Sequence, residues 1–262
     1  MTATIVWVLI AVLPTALLLP RHLRARADRR QRNVFSRWPI PSVPLDEIDP
    51  VFHTGPLGPS LDAEVQFVGG VGAVRVPGAT SDTEAWVLSV LCKQAQLMFE
   101  FGTCTGRTAY LWARNSPPDA RVVTITLRSQ DHERYRRADG DAATDVQHAL
   151  EESAFEQFLY SGTPVEAKVQ QLFGDSKALD DTPWHDQCDL VFVDGSHARS
   201  YVESDSAKAV RMVRPGGLVL WHDYRGARAV PGVYEALNAL ATRLPLRHIA
   251  GTSFVVYRRP LA

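Results

Sequence analysis

"LMFEFGTCTGRTAYLW", residues 97–112, runs from an apolar stretch through Glu100 into a turn of small residues and out into a helix-like pattern. Gly102 and Gly106 let the backbone turn tightly and come close to a ligand, and a helix starting at 106 offers unpaired amide groups at its first turn. A pyrophosphate would suit those amides, but the carboxylate of Glu100 beside them would repel it. The dinucleotide spacing G-x-G-x-x-G is also broken, because Cys104 stands at the second glycine and Ala109 falls out of frame. A ligand with a cationic amino acid head is the better electrostatic match.

Outward from this turn, short apolar runs alternate with amphipathic stretches. Strands are expected at 97–101, 121–127, 165–173, 188–193 and 217–221, with helices at 106–115, 141–160, 198–213 and 231–243. Ser81 followed three residues later by Glu84 marks the start of a further helix over 81–95. Two closing runs, "LRHIA" and "SFVVYRR", flank Gly251 and read as a hairpin-like edge. The fold class expected is α/β: a doubly wound, mostly parallel, seven-stranded Rossmann-like sheet with an antiparallel final strand, here over 81–262.

Two segments precede it. Residues 4–20, "TIVWVLIAVLPTALLLP", carry no charge and are followed at once by "RHLRARADRRQR". Roughly 17 apolar residues sit at the lower limit for crossing a bilayer, so residues 1–20 are expected to form a transmembrane or membrane-anchor helix. A cleaved signal peptide would need basic residues before the run and an A-x-A-like site after it, and neither is present. The arginines all follow the run, which places a single-pass protein's body in the cytoplasm. Residues 21–80 read as a basic, then Pro/Gly-rich stalk and cover.

The remainder is unremarkable in bulk. The chain has 262 residues, 45% hydrophobic and 22% charged, with a net charge of −1, so no overall basic field argues for nucleic acid. Cys92, Cys104 and Cys188 are odd in number and lack a C-x-x-C pair, which fits reduced thiols acting as small apolar fillers.

In a doubly wound sheet, ligands collect beyond the carboxyl ends of the strands. Those ends carry Glu100, then Thr126, then Asp175 and Ser176, then Asp194 and His197, then His222 and Asp223. Four ionisable groups at two neighbouring strand ends point to a functional site.

These residues resemble a known family. "FEFGTCTGRTAYLW" is similar to the first motif of class I S-adenosylmethionine-dependent methyltransferases, within them the small-molecule O-methyltransferase-like group close to catechol and caffeoyl-CoA methyltransferases. "LVFVDGSHARSYVESDSAKAVRMVRPGGLVLWHDY" resembles the group's fourth-strand, helix and fifth-strand block, and "PGVYEALNAL" with "GTSFVVYRR" its closing elements. The resemblance implies S-adenosyl-L-methionine as cofactor, with its methionine half on Glu100, Gly102, Thr103, Cys104, Thr105 and Gly106, its adenine near Asp175 and Ser176, and Asp194 near the sulfonium. Thr126 stands where the family carries an acidic ribose anchor. His197 is the first candidate for the base and His222 the second, with Asp194 and Asp223 as orienters or as ligands of a divalent cation, magnesium or manganese. The reaction implied is O-methylation of a small-molecule or lipid-linked hydroxyl acceptor at the cytoplasmic membrane face. The alternative is a membrane-attached scaffold of the same fold without turnover. A dinucleotide oxidoreductase is disfavoured by Glu100 and the broken glycine spacing. Acceptor and oligomeric state are not legible.

Overall fold

The computed structural model describes residues 39–261, apart from 56–57, 60–62, 66–69, 72–73 and 79. Its main sheet is built of β1 (Ser42–Val43), β2 (Leu97–Phe101), β3 (Arg121–Thr126), β4 (Val169–Phe173), β5 (Cys188–Val193), β6 (Val213–Trp221), β7 (Arg247–Ile249) and β8 (Val255–Arg258). The order across it is β1-β7-β8-β6-β5-β2-β3-β4, and β8 alone runs against the rest. Among the described residues, five α-helices accompany it: α1 (Asp82–Leu91), α2 (Arg107–Asn115), α3 (Ala143–Glu152), α4 (Arg199–Met212) and α5 (Pro231–Ala241). Two short hairpins, Thr54–Gly55 with Gly58–Pro59 and Gly70–Val71 with Val74–Arg75, stand apart from the sheet.

The central strands are buried on both faces, as crossover helices require. Phe99, Phe101, Val191, Val193, Val219 and Trp221 fill one face with residues of α4 and α5. Met98, Leu190, Phe192, Leu218 and Leu220 fill the other with residues of α1 and α2. Successive side chains alternate between these layers because the strand period is two. Apart from the buried Glu100–Thr124 pair within β2 and β3, the ionisable groups gather at the strand ends, which is where the site forms.

Three expectations change. The sheet has eight strands rather than seven, because Ser42–Val43 adds in parallel to β7; Ser42 Oγ lies 2.9 Å from Nδ1 of buried His248. The helix expected over 141–160 stops at Glu152, since the chain then folds back under the glycine turn, with the Leu159 amide bonded to the Thr105 carbonyl at 2.9 Å. The single-pass placement is corrected as well. No helix among the described residues is long and apolar enough to cross a membrane, and the anchor expected over 1–20 lies outside the described residues.

Candidate active site

Strands β5 and β6 run side by side, with Val193 opposite Trp221, so the residues that follow them emerge together. Nδ1 of His222 lies 2.8 Å from Oδ1 of Asp194, and its Nε2 faces Glu84 Oε2 at 3.4 Å. Asp223 takes a left-handed backbone, φ 59°, which is costly without glycine and marks functional sites when the surroundings enforce it. That bend presents its Oδ2 to Nε2 of His197 at 2.8 Å.

Glu84 belongs to the capping box at the start of α1, where its amide bonds to Ser81 Oγ. Its Oε1 also accepts from the amide and hydroxyl of Ser253, at 2.6 and 2.7 Å. One carboxylate thus ties the first turn of α1 to the turn before β8 and to His222.

Burial would raise a carboxylate and lower an imidazole, yet the pairing overrides it at most of these groups. Asp223 is held well below the usual carboxylate range despite burial, because His222 and His197 flank it. His222 rises well above its ordinary value against burial, chiefly through Asp194 and Asp223. His197 is also raised against burial, by its hydrogen bond to Asp223. Since Asp223 is ionised, His197 Nε2–H is the donor of that bond. From α3, His148 sets its ring 4.6 Å from that of His197, and burial with the nearby Asp194 charge pushes Glu152 up to about 7.

Beside this cluster lies a narrow crevice, open to solvent, with a cavity volume of about 70 Å³. Gly102, Cys104, Thr126, Asp175, Ser176 and Asp194 all line it. His197, His222 and Asp223 line an adjoining recess that shares Asp194, Gly195 and Ser196 with it.

The other candidates stand elsewhere: Glu100, Thr103, Thr105 and Gly106 are not among the crevice-lining residues. Glu100 is fully buried and accepts from the Thr124 hydroxyl at 2.7 Å; burial, with Asp194 adding, pushes it up to about 8. Thr124 in turn lies 2.8 Å from Thr103 Oγ1, which accepts from Gln171 at 3.0 Å. Glu100 and Thr103 thus form a polar underlay for the turn. At Gly102, φ is 98°, and a Cβ would meet the Asp194 carbonyl oxygen at 2.1 Å. This glycine is required by the closeness of β2 to the end of β5, whatever the crevice holds.

Thr126 offers no carboxylate to the crevice, and Asp131 pairs with Arg134 at 3.3 Å on a surface turn. The cysteines are free, as their spacing suggested. Sequence reasoning missed Asp205, Tyr135, Tyr201 and Glu152 on the crevice wall; each sits where a surface helix or loop was read.

Ligand atoms of Asp194, His222 and Asp223 lie within 4.8 Å of one another, a spacing that admits a divalent ion. The chemistry of the set is against it. Both ring nitrogens of His222 face carboxylates, and a ring held as imidazolium has no lone pair to give a metal. The residues as arranged do not fit a resident cation.

Residues 99–224 match a family described as a methyltransferase domain. This likeness covers just under half of the chain. No curated protein matches it. Among solved structures, the O-methyltransferase TomG from Streptomyces achromogenes, involved in tomaymycin synthesis and bound to SAM, is 23% identical, with 71% of this chain and 83% of that chain covered and a TM-score of 0.47. Rv0187 from MTB, solved with a cofactor, is 20% identical over 70% of this chain and 83% of its own, TM-score 0.48. An O-methyltransferase from Bacillus cereus in complex with SAH is 16% identical over 70% and 84%, TM-score 0.47. Likeness at this level says nothing about what this chain acts on.

Proposed function

We propose that this chain is a methyltransferase that moves the methyl group of S-adenosyl-L-methionine onto a hydroxyl of a small-molecule acceptor, with His197 as general base. The observation that carries the reading is the His197–Asp223 pair at 2.8 Å, in a recess that shares the Asp194–Ser196 wall with the crevice. The sulfonium supplies an activated methyl group and a neutral thioether as leaving group. What remains for the chain is to align the acceptor, keep out water and remove one proton.

With Nε2–H donating to Asp223, the neutral ring of His197 keeps its lone pair on Nδ1, and that nitrogen takes the hydroxyl proton. Asp223 fixes this tautomer and stabilises the imidazolium that forms, the division of labour seen wherever a carboxylate orients a basic histidine. His222 is taken up on both ring nitrogens by carboxylates, which favours a positioning role for it and for Asp194. Gly102, Cys104, Asp175 and Ser176 are assigned to the cofactor through their place on the crevice wall.

The test is mass spectrometry of cell extract incubated with methyl-labelled cofactor. A labelled small molecule that appears with the wild-type chain, and fades with His197→Ala, is the expected result. Its absence with active, folded protein would overturn the assignment.

A further inference from the structure

The connection from β3 to β4, residues 127–168, carries a single α-helix, α3. A crossover helix ordinarily buries an apolar stripe against the sheet, yet no residue of α3 is buried and its first turn has no side-chain cap. By contrast α4 buries Tyr201, Val202, Ala209 and Met212 among others. A segment with so little buried apolar surface opens at a low cost in free energy.

Instead of seating on the core, α3 lies along the crevice. Its last turn puts Ala149 and Glu152 on the wall, with Ser153 just beyond. The cover segment meets it there, because a Cβ on Gly78 would come within 3.0 Å of Glu152 Oε1. What is left open is about 70 Å³, far below the roughly 300–1,000 Å³ of a small-molecule site. A ligand the size of S-adenosyl-L-methionine enters only if a wall moves. The walls from β2 and α4 are fixed by Phe101, Val202 and Ala209 in the core, which leaves α3 to give way.

Polar anchors at its two ends and one ring pair hold α3 in place. Asp141 accepts from the Ser200 amide and hydroxyl at 3.1 and 2.6 Å, and Ser153 Oγ lies 2.9 Å from Nε2 of His132. Between these anchors, His148 sets its ring 4.6 Å from that of His197 and its Nε2 3.4 Å from Glu152 Oε1. Gly140, next to the Asp141 anchor, has φ 92° with nothing within 4 Å of where a Cβ would stand, so the backbone is free to turn there.

We propose that α3 is a lid on the crevice, pivoting at Gly140 and latched by the ring of His148 against His197, which opens to admit the cofactor and closes over it to keep out water. The inference rests on the cofactor reading above.

Hydrogen exchange followed by mass spectrometry on the full chain, with calorimetry in parallel, tests the lid with S-adenosylhomocysteine as the probe. In the free chain, amides of 143–153 are expected to exchange about 100-fold or more faster than those of 201–212 in α4. Saturating probe should slow 143–153 by about tenfold or more. His148→Ala should speed that segment by about threefold to tenfold in the free chain, the worth of one ring pair, and leave 201–212 unchanged. His148→Phe, which keeps a ring to stack, should stay within about twofold of wild type. Exchange over 143–153 as slow as in α4, or unaltered by a probe whose heat of binding is plain, overturns the lid and leaves the cofactor reading intact. Equal exchange in wild type and His148→Ala overturns the latch. No heat with the probe overturns the cofactor reading, and the lid with it.

Discussion

Nε2 of His197 lies 2.8 Å from Oδ2 of Asp223, although α4 and its preceding loop carry the first residue and the end of β6 carries the second. The approach depends on two backbone features. Asp223 bends through a left-handed conformation, φ 59°. Gly232 at the start of α5 lets that helix press against the His197 loop, where a Cβ would come within 2.2 Å of the His197 carbonyl oxygen.

His197→Ala is expected to lower kcat by about 100-fold or more, the typical contribution of a general base, with S-adenosylhomocysteine affinity changed by only a few-fold. Asp223→Asn is the informative partner, because asparagine tolerates the left-handed backbone while removing the charge. It should also cost turnover without loss of fold. Steady-state kinetics with calorimetry decides the matter, and a fall in kcat of less than about tenfold for His197→Ala would remove it from the base role.

Gly102→Ala tests the strand packing under the turn. The new methyl meets the Asp194 carbonyl at 2.1 Å on a backbone with φ 98°, so strain and overlap add. A loss of at least about 2 kcal/mol is expected, seen as a lower urea midpoint together with lost cofactor binding. An unchanged midpoint would mean that β2 and β5 part more readily than their pairing implies.

Parts of this arrangement were legible in the sequence. The capping box at Ser81, the break in glycine spacing at Cys104 and the polar residues ending each apolar run gave α1, the turn and the clustered strand ends, because each signal is local. Strand β1 was not legible: two residues between prolines carry no period, and their pairing with β7 is a contact across the whole chain. Asp205 was hidden for a similar reason. In "ESDSAK" it looks like part of a solvated helix face, and only packing against the turn after β4 reveals it as buried. Glu84 was read correctly as a cap, but its second contacts, to Ser253 and His222, come from elements about 140 to 170 residues away.

Two buried acids set a pH dependence of stability. Glu100 is pushed up to about 8 and Asp205 to about 7, both chiefly by burial. In the unfolded chain both ionise near pH 4, so between these limits the folded state holds protons that the unfolded state has released. Their contribution is fully present below about pH 4 and is lost as pH rises through 7 and 8, by an amount on the order of a few kcal/mol. Urea unfolding of wild type and Glu100→Gln at pH 5.5 and 8.5 measures it. The wild type should lose more stability on going to the higher pH than the variant does, and parallel losses would place the Glu100 proton elsewhere.

Cys104 lines the crevice, but burial, reinforced by Glu152, pushes its thiol up to about 12. Because the thiolate is the reactive form, iodoacetamide at pH 8 should leave Cys104 unmodified in the folded chain and label it readily in urea. Intact-mass measurement reads the difference directly. Fast labelling of the native protein would show a more polar turn than this one.

The strand-end cluster makes a further prediction about metals. His222 directs Nδ1 to Asp194 and Nε2 towards Glu84, and the surrounding carboxylates hold it well above its ordinary pKa. The positive charge that a divalent ion could bring to this corner is thus already present on a side chain, and an ion would have to expel a proton to bind. Turnover is therefore expected to survive EDTA and to change by less than about twofold on adding magnesium or manganese, where a coordinated Lewis acid would contribute several kcal/mol. His222→Asn provides the complementary measurement. It removes the charge beside Asp194 and Asp223, and should make whatever activity remains dependent on added metal. A wild-type enzyme silenced by EDTA and restored by magnesium would mean that His222 is neutral in the working state.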